Sequence, residues 1–162
     1  MVILGIDPGI ATIGYGVITA DNGRFSAIEY GAIITKPNQL LESRLMQIYD
    51  RITDIIIRHN PDCVAIEELF FNKNVKTAVD VCHGRGVILL AAKKQSVDIY
   101  EYTPLQIKSS VVGYGRAEKQ QIIYMTKLLL KLEKEPKPDD TADALAVAIC
   151  HGNHTMSSCY NI

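Results

Sequence analysis

The pattern of apolar and polar positions predicts three consecutive strands in the first part of the chain. Short apolar or alternating runs are separated by Pro8-Gly9 and by Asp21-Asn22-Gly23, whose residues are typical of a hairpin turn. The three predicted strands are Val2–Asp7, Ile13–Thr19 and Phe25–Thr35. Their order along the chain predicts an antiparallel meander.

Helices and two further strands alternate in the rest of the chain. Apolar residues recur at helical spacing from Leu41 to Ile56, which predicts a helix from Pro37 to His59. The other predicted elements are strands at 63–67 and 97–102 and helices at 76–94, 104–112, 117–132 and 140–151. This succession predicts an α/β fold, a mixed five-stranded sheet with helices on both faces.

We find no repeat, low-complexity tract or second core in the pattern. A single domain over residues 1–152 is therefore predicted, with a frayed C-terminal tail over residues 153–162. No apolar run reaches the roughly 18 residues of a membrane span, and the N-terminus lacks the regions of a signal peptide. We expect a cytoplasmic protein.

Charge and cysteine content narrow the function only slightly. The net charge of −1 does not exclude nucleic-acid binding, because a cluster of metal-binding carboxylates lowers the total. Four cysteines lie far apart, mostly in apolar segments, which favours buried free thiols. A zinc site built from the cluster at 150–159 is an alternative, although paired knuckles are missing. Its candidate ligands are Cys150, His151, His154 and Cys159.

Carboxylates at strand and helix ends carry the strongest chemical signal. Asp7 and Glu67 each close an otherwise apolar strand, and parallel neighbouring strands would bring them to one edge of the sheet. Asp140 and Asp143 share one face of a helix's first turn, where an ordinary helix cap is the alternative role. Clustered carboxylates repel unless hard cations bridge them. We predict a two-Mg²⁺ site for phosphodiester hydrolysis, in which Mn²⁺ can substitute. Its predicted ligands, which are also the catalytic residues, are Asp7, Glu67, Asp140 and Asp143.

Five blocks of the sequence carry a family pattern. They are LGIDPG at 4–9, AIEELFFNKN at 65–74, GRGV at 84–87, QIKSSVVG at 106–113 with AEK at 117–119, and DTADALA at 140–146. In this order they resemble the bacterial RuvC Holliday-junction resolvases of the ribonuclease H-like superfamily. The resemblance implies a homodimer that nicks four-way DNA junctions symmetrically, using Mg²⁺, in recombination and repair. It also implies the RuvA–RuvB branch-migration motor as a partner.

The same resemblance assigns roles to individual residues. It gives the four carboxylates metal-binding catalytic roles, with Asp143 open between a direct ligand and a residue that orients Asp140. It gives Phe70 a stacking role on a junction base. His83 departs from the family pattern, in which glutamine is expected. The predicted DNA-binding residues are Phe70, Lys73, Asn74, Arg85, Lys108, Arg116 and Lys119.

Three of these predictions also rest on the residues themselves. One ring of the Phe70-Phe71 pair can stack on an unpaired base, with both rings in the core as the alternative. Lys108, Arg116 and Lys119 surround a glycine-rich turn and suit phosphate contact, with a solvated helix start as the alternative. The helix at 76–94 has two apolar faces, which favours a helix-packed dimer in which Gly84 and Gly86 permit close approach.

Other functions remain open from the carboxylates alone. A ribonuclease H-like nuclease acting on RNA–DNA hybrids or other branched DNA would carry the same acidic set. A non-catalytic junction-binding module would not need it. The segment Gly5-Ile6-Asp7 followed by Gly9 also resembles the first phosphate loop of actin-like ATPases and sugar kinases. Those proteins need a second domain and a second loop, which this sequence does not show.

Overall fold

The computed structural model describes residues 1–69 and 75–159. Its strands are β1 (Val2–Asp7), β2 (Thr12–Asp21), β3 (Arg24–Ile34), β4 (Cys63–Glu67) and β5 (Asp98–Tyr102). Its helices are α1 (Leu41–His59), α2 (Val75–Lys94), α3 (Pro104–Val112), α4 (Lys119–Leu129) and α5 (Asp139–Cys159). Within these residues, none of the helices has the length and apolar character needed to cross a membrane.

The five strands form one sheet in the order β3-β2-β1-β4-β5. The pairs β1–β2 and β2–β3 are antiparallel, while β1–β4 and β4–β5 are parallel. The predicted meander with added parallel strands is therefore confirmed. So is the parallel pairing of β1 with β4, on which the meeting of Asp7 and Glu67 depends.

Side-chain alternation along the strands divides the core into two layers. In β1, Ile3 packs in the layer that contains α3, α4 and α5, whereas Leu4 and Ile6 pack in the layer that contains α1 and α2. β4 repeats this pattern with Ala65 in the first layer and Ile66 in the second. Helices thus cover both faces, as predicted.

Several helix ends differ from the prediction. α1 begins at Leu41 rather than Pro37, because Lys36 and Gln39 close a turn in which the Gln39 N–H donates to the Lys36 carbonyl over 3.2 Å. α4 is shorter than predicted at both ends, and it starts with a capping box between Glu118 and Gln121.

The last helix is longer than predicted. α5 continues past His151 to Cys159, so residues 153–159 of the predicted frayed tail are helical here. Residues 160–162 lie outside the described part of the chain. The domain boundary at residue 152 and the fraying of the end stay predictions.

Candidate active site

Asp7 and Glu67 lie side by side at one edge of the sheet. The parallel register aligns Ile6 of β1 with Ile66 of β4, so the next residue of each strand emerges at the same level. The residues before them, Ile6 and Ile66, face α1 and α2, and successive side chains of a strand point to opposite faces. The two carboxylates therefore point to the face covered by α5, as the strand-end argument predicted.

Glycines of β1 and β2 bring α5 into direct contact with the sheet. A Cβ atom at Gly5 would overlap the carbonyl oxygen of Ala144, and one at Gly14 would overlap that of Asp140. The small side chain of Ala148 lies beside Gly5, whereas the larger Leu145 packs over Gly16. Because the backbone of α5 lies directly on the backbone of β1 and β2, the first turn of α5 reaches the edge of the sheet where Asp7 ends β1. This role was not predicted, although Gly14 and Gly16 share one face of β2 and were a visible signal.

The negative charges of the carboxylate cluster are only partly balanced by nearby positive charges. Burial raises the pKa of Asp7 to about 8, and the nearby charges of Glu67, Asp143 and Asp140 add to the shift. Burial likewise raises the pKa of Glu67 to about 7, with Asp143 adding and two lysines opposing. The pKa of Asp143 is also raised, mainly by burial, in spite of the opposing charge of Lys119. Desolvated, mutually repelling acids of this kind are typical of functional sites.

Lys119 is the main positive charge within this cluster. Its Nζ atom lies 3.2 Å from Asp143 Oδ2 and 3.4 Å from Asp139 Oδ2. Partial burial alone would lower the pKa of Lys119, but the two aspartates outweigh that effect and raise it. The structure places this residue among the carboxylates, and its predicted contact with DNA stays a prediction.

A cleft of about 270 Å³ opens beside these groups. Glu67, Asp143, Lys108 and Lys119 form its charged part, and Pro104, Ile107 and Ile122 form its apolar part. Acids that can hold cations and lysines that can hold phosphate thus line one concave surface.

The other predicted DNA-binding residues lie elsewhere or outside the described residues. Arg116 is exposed in the turn between α3 and α4. Arg85 lies on α2, on the opposite face of the sheet from the cluster, and is ion-paired with Glu101 of β5. Phe70, Lys73 and Asn74 fall in the segment that the structure does not describe.

One prediction about α2 is wrong. Gly84 packs against the carbonyl oxygen of Gly9 in the same chain, so its close approach is internal. Around Gly86, in contrast, a Cβ atom would meet nothing within 4 Å among the described residues. Gly86 therefore remains available to a second copy, whereas Gly84 does not.

The cysteines partly follow the prediction. Cys63 and Cys150 are buried free thiols, whereas Cys82 is exposed on α2. Among the side chains that the structure describes, at residues 1–69 and 78–155, no group of three Cys, His, Asp or Glu is arranged to hold a metal ion. His151 instead shares a 2.7 Å hydrogen bond with the hydroxyl of Tyr102. The zinc alternative stays untested, because the side chain of its candidate ligand Cys159 lies outside the described part of the structure.

A mixed sheet with carboxylates at two adjoining strand ends, covered by the acidic first turn of a helix, defines a ribonuclease H-like nuclease. Residues 3–151 match the family described as Crossover junction endodeoxyribonuclease RuvC, and the chain belongs to this family. Membership implies a DNA-cleaving hydrolase that depends on a divalent metal.

Individual relatives agree with this assignment. The crossover junction endodeoxyribonuclease RuvC of Ruminiclostridium cellulolyticum is 56% identical over 159 residues, which cover 98% of this chain and 96% of the relative. The structure of Thermus thermophilus RuvC in complex with Holliday junction substrate has a TM-score of 0.93 at 33% identity and covers 98% of this chain and 96% of that one. The yeast mitochondrial Holliday junction resolvase Ydc2, with a TM-score of 0.67 at 14% identity, covers 98% of this chain and 83% of that one and shares the fold.

Proposed function

We propose that this chain resolves four-way DNA junctions by symmetric, metal-dependent nicking during recombination and repair. The observation that carries the proposal is the meeting of Asp7 and Glu67 with the first turn of α5, in a cleft that also contains Lys108 and Lys119. The junction-bound Thermus thermophilus relative supports the choice of substrate.

We assign the metal-binding and catalytic roles to the four acidic residues predicted from the sequence, namely Asp7, Glu67, Asp140 and Asp143. Oxygen-only ligands fit Mg²⁺, and two ions per site, with Mn²⁺ as a substitute, suit a set of four carboxylates. Neither Asp7 nor Glu67 has a side-chain hydrogen bond or ion pair to another described residue, so their oxygens are free to act as ligands. Bound ions would supply an activated water and stabilise the leaving oxygen.

The protein groups have separable tasks in this proposal. Burial, with neighbouring acids adding, raises the pKa of Asp7 and Glu67, and cation binding would displace the protons that these carboxyls hold. Lys119 holds one oxygen of Asp143 and leaves its second oxygen for the ions, which is compatible with Asp143 as a direct ligand and with Asp143 as a residue that orients Asp140. Lys108 and Lys119 hold phosphate oxygens of the strand being cut.

The remaining DNA contacts are part of the proposal. We assign phosphate contact to Arg116, which is exposed in the turn between α3 and α4, and stacking on a junction base to Phe70. Lys73 and Asn74 accompany Phe70 in the same segment. A contact by Arg85 requires DNA to compete with Glu101 for its guanidinium.

A homodimer formed through α2 completes the proposal, because symmetric nicks need two sites. Val79 and Leu90 of this helix are 50% and 54% exposed, and Cys82 and Gly86 lie exposed between them. An exposed apolar stripe with one glycine suits close packing against a second copy. A mass measurement that found only monomer at micromolar concentration would contradict the dimer. The RuvA–RuvB motor is a proposed partner by family alone.

The test is a cleavage assay on three substrates, a synthetic four-way junction, a linear duplex and an RNA–DNA hybrid. With Mg²⁺ we expect paired nicks in the junction and little cutting of the others, and with chelator no cutting. Cleavage of the hybrid but not of the junction would overturn the proposal in favour of a different ribonuclease H-like activity.

A further inference from the structure

Arg44 lies at the same sheet edge as Asp7, but on the opposite face. β1 and β3 run in the same direction, since both pair antiparallel with β2. Thr35 follows the last residue of β3 and therefore emerges at the edge where Asp7 ends β1. Arg44 belongs to the first turn of α1, which packs in the layer of α1 and α2. The carboxylate cluster and its two lysines occupy the other face.

A short hydrogen-bond chain fixes Arg44 to the loop that follows Asp7. The hydroxyl of Thr35, a residue only 2% exposed, donates to the carbonyl of Ile10 over 2.6 Å. The Nε–H of Arg44 donates to the same hydroxyl oxygen over 2.8 Å. Because a guanidinium is planar, one bonded Nε atom limits the directions in which the two amino groups can point. Arg44 is therefore an oriented side chain rather than a freely rotating one.

The charge of Arg44 is not neutralised by the described residues. Its partner is a neutral hydroxyl, and neither amino group has a hydrogen bond or ion pair to another described residue. The other oriented arginines differ in this respect. Arg58 binds both oxygens of Glu29, and Arg85 is paired with Glu101. Glu42, in the same turn as Arg44, is two residues away and so does not face it.

An oriented, half-buried guanidinium without a counter-ion is suited to an anion that arrives from outside the chain. Two free amino groups in one plane match two oxygens of a phosphodiester. We propose that Arg44 binds a backbone phosphate of the DNA next to the cleavage site, on the side of Asp7 opposite to Lys108 and Lys119. The inference rests on the proposed function, since it takes nucleic acid as the substrate. The DNA strand then crosses the sheet edge and is held from both faces.

The test measures junction affinity in chelator by fluorescence anisotropy over a series of salt concentrations. Loss of one phosphate contact lowers the slope of log affinity against log salt by about 1, and we expect Arg44→Ala to raise the Kd about 5- to 10-fold. Arg44→Lys keeps the charge without the planar fork, so it should retain the salt slope and lose part of the affinity.

Arg24→Ala is the matched control, because Arg24 is an exposed arginine at the far end of β3 from Thr35. We expect it to bind the junction like the unchanged protein. If Arg44→Ala left the Kd and the salt slope unchanged, or changed them no more than Arg24→Ala does, the phosphate contact would be refuted. A lower melting temperature of Arg44→Ala with an unchanged salt slope would also overturn it, in favour of a purely bracing role. Failure of the unchanged protein to bind any junction would refute the proposed function itself.

Discussion

Glu29 on one face of the sheet and the carboxylate cluster on the other have pKa values shifted in opposite directions. On the α1 face, Glu29 accepts hydrogen bonds from both amino groups of Arg58 at 2.7 and 3.1 Å, and from the hydroxyl of Tyr15 at 2.9 Å. Its Oε2 atom also lies 2.8 Å from Nε2 of His59. The hydrogen bonds from Arg58 lower the pKa of Glu29 to about 2 against the effect of burial, with help from His59 and Tyr15.

On the α5 face the balance is reversed. Burial and neighbouring acids raise the pKa of Asp7 to about 8 and that of Glu67 to about 7. Here only lysines oppose the repulsion, and Lys119 binds Asp143 and Asp139 rather than Asp7. A carboxylate whose partners come from its own chain stabilises the fold. One that lacks such partners holds its proton to a higher pH or binds a cation from outside the chain.

The largest expected effect comes from Asp7→Asn. This change keeps the shape of the side chain and removes a metal-binding oxygen, so we expect junction cleavage to fall by more than the roughly 10- to 100-fold typical of groups one step from a metal. Junction binding in chelator should remain, and anisotropy and gel assays on one junction measure both quantities. Normal cleavage by this variant would mean that the metal site lies elsewhere.

The pH dependence of stability gives the next test. Between about pH 4 and pH 8 the folded state holds the Asp7 proton longer than the unfolded state does, so the free energy of unfolding falls as pH rises. Glu67 acts in the same direction between its ordinary pKa and about 7. We therefore expect the metal-free protein to lose stability from about pH 5 to pH 8, with a smaller loss in Asp7→Asn, as measured by urea unfolding.

Two further measurements sharpen this result. Mg²⁺ should restore stability near the upper end of the pH window, because it replaces the protons that the carboxyls lose. Glu29 should act in the opposite sense, since its contribution is present above its ordinary pKa and is lost as pH falls toward 2. A metal-free stability that rose from pH 5 to pH 8 would show that the acidic cluster is already compensated.

The smallest effect is expected for Glu29→Gln. It weakens the bonds to Arg58 and His59 in a half-exposed network, so the free energy of unfolding should fall by about 1 kcal/mol, or roughly 2–4 °C in Tm. Junction cleavage should not change. A clear loss of cleavage without a loss of stability would show that Glu29, like the carboxylate cluster, serves the reaction rather than the fold.

The sequence predicted the acidic cluster better than its surroundings because strand ends follow directly from local patterns. The apolar runs that end in Asp7 and Glu67 needed only parallel pairing to bring the carboxylates together, and β1–β4 supplies it. Helix ends were harder, since the Pro37-Asn38 signal belongs to a turn before α1. A Pro-Asn pair is compatible both with the start of a helix and with a turn.

Contacts between distant segments could not be read from the sequence. The ion pairs of Lys119 with Asp143 and of Arg58 with Glu29 join residues from different elements, and many other lysines and arginines were equally plausible partners. Gly84 showed the same limit. A glycine on α2 predicted a close approach to another segment, but the fold was needed to show that this segment is Gly9.

The glycine contact between α5 and the first two strands sets the spacing of the acidic cluster. Because backbone meets backbone at Gly5 and Gly14, the height of Asp140 above the sheet depends on the thickness of the main chain and not on the size of any core side chain. Backbone contact in this way makes the separation of Asp140 from the sheet independent of core side-chain volume, which suits the catalytic role proposed for that residue.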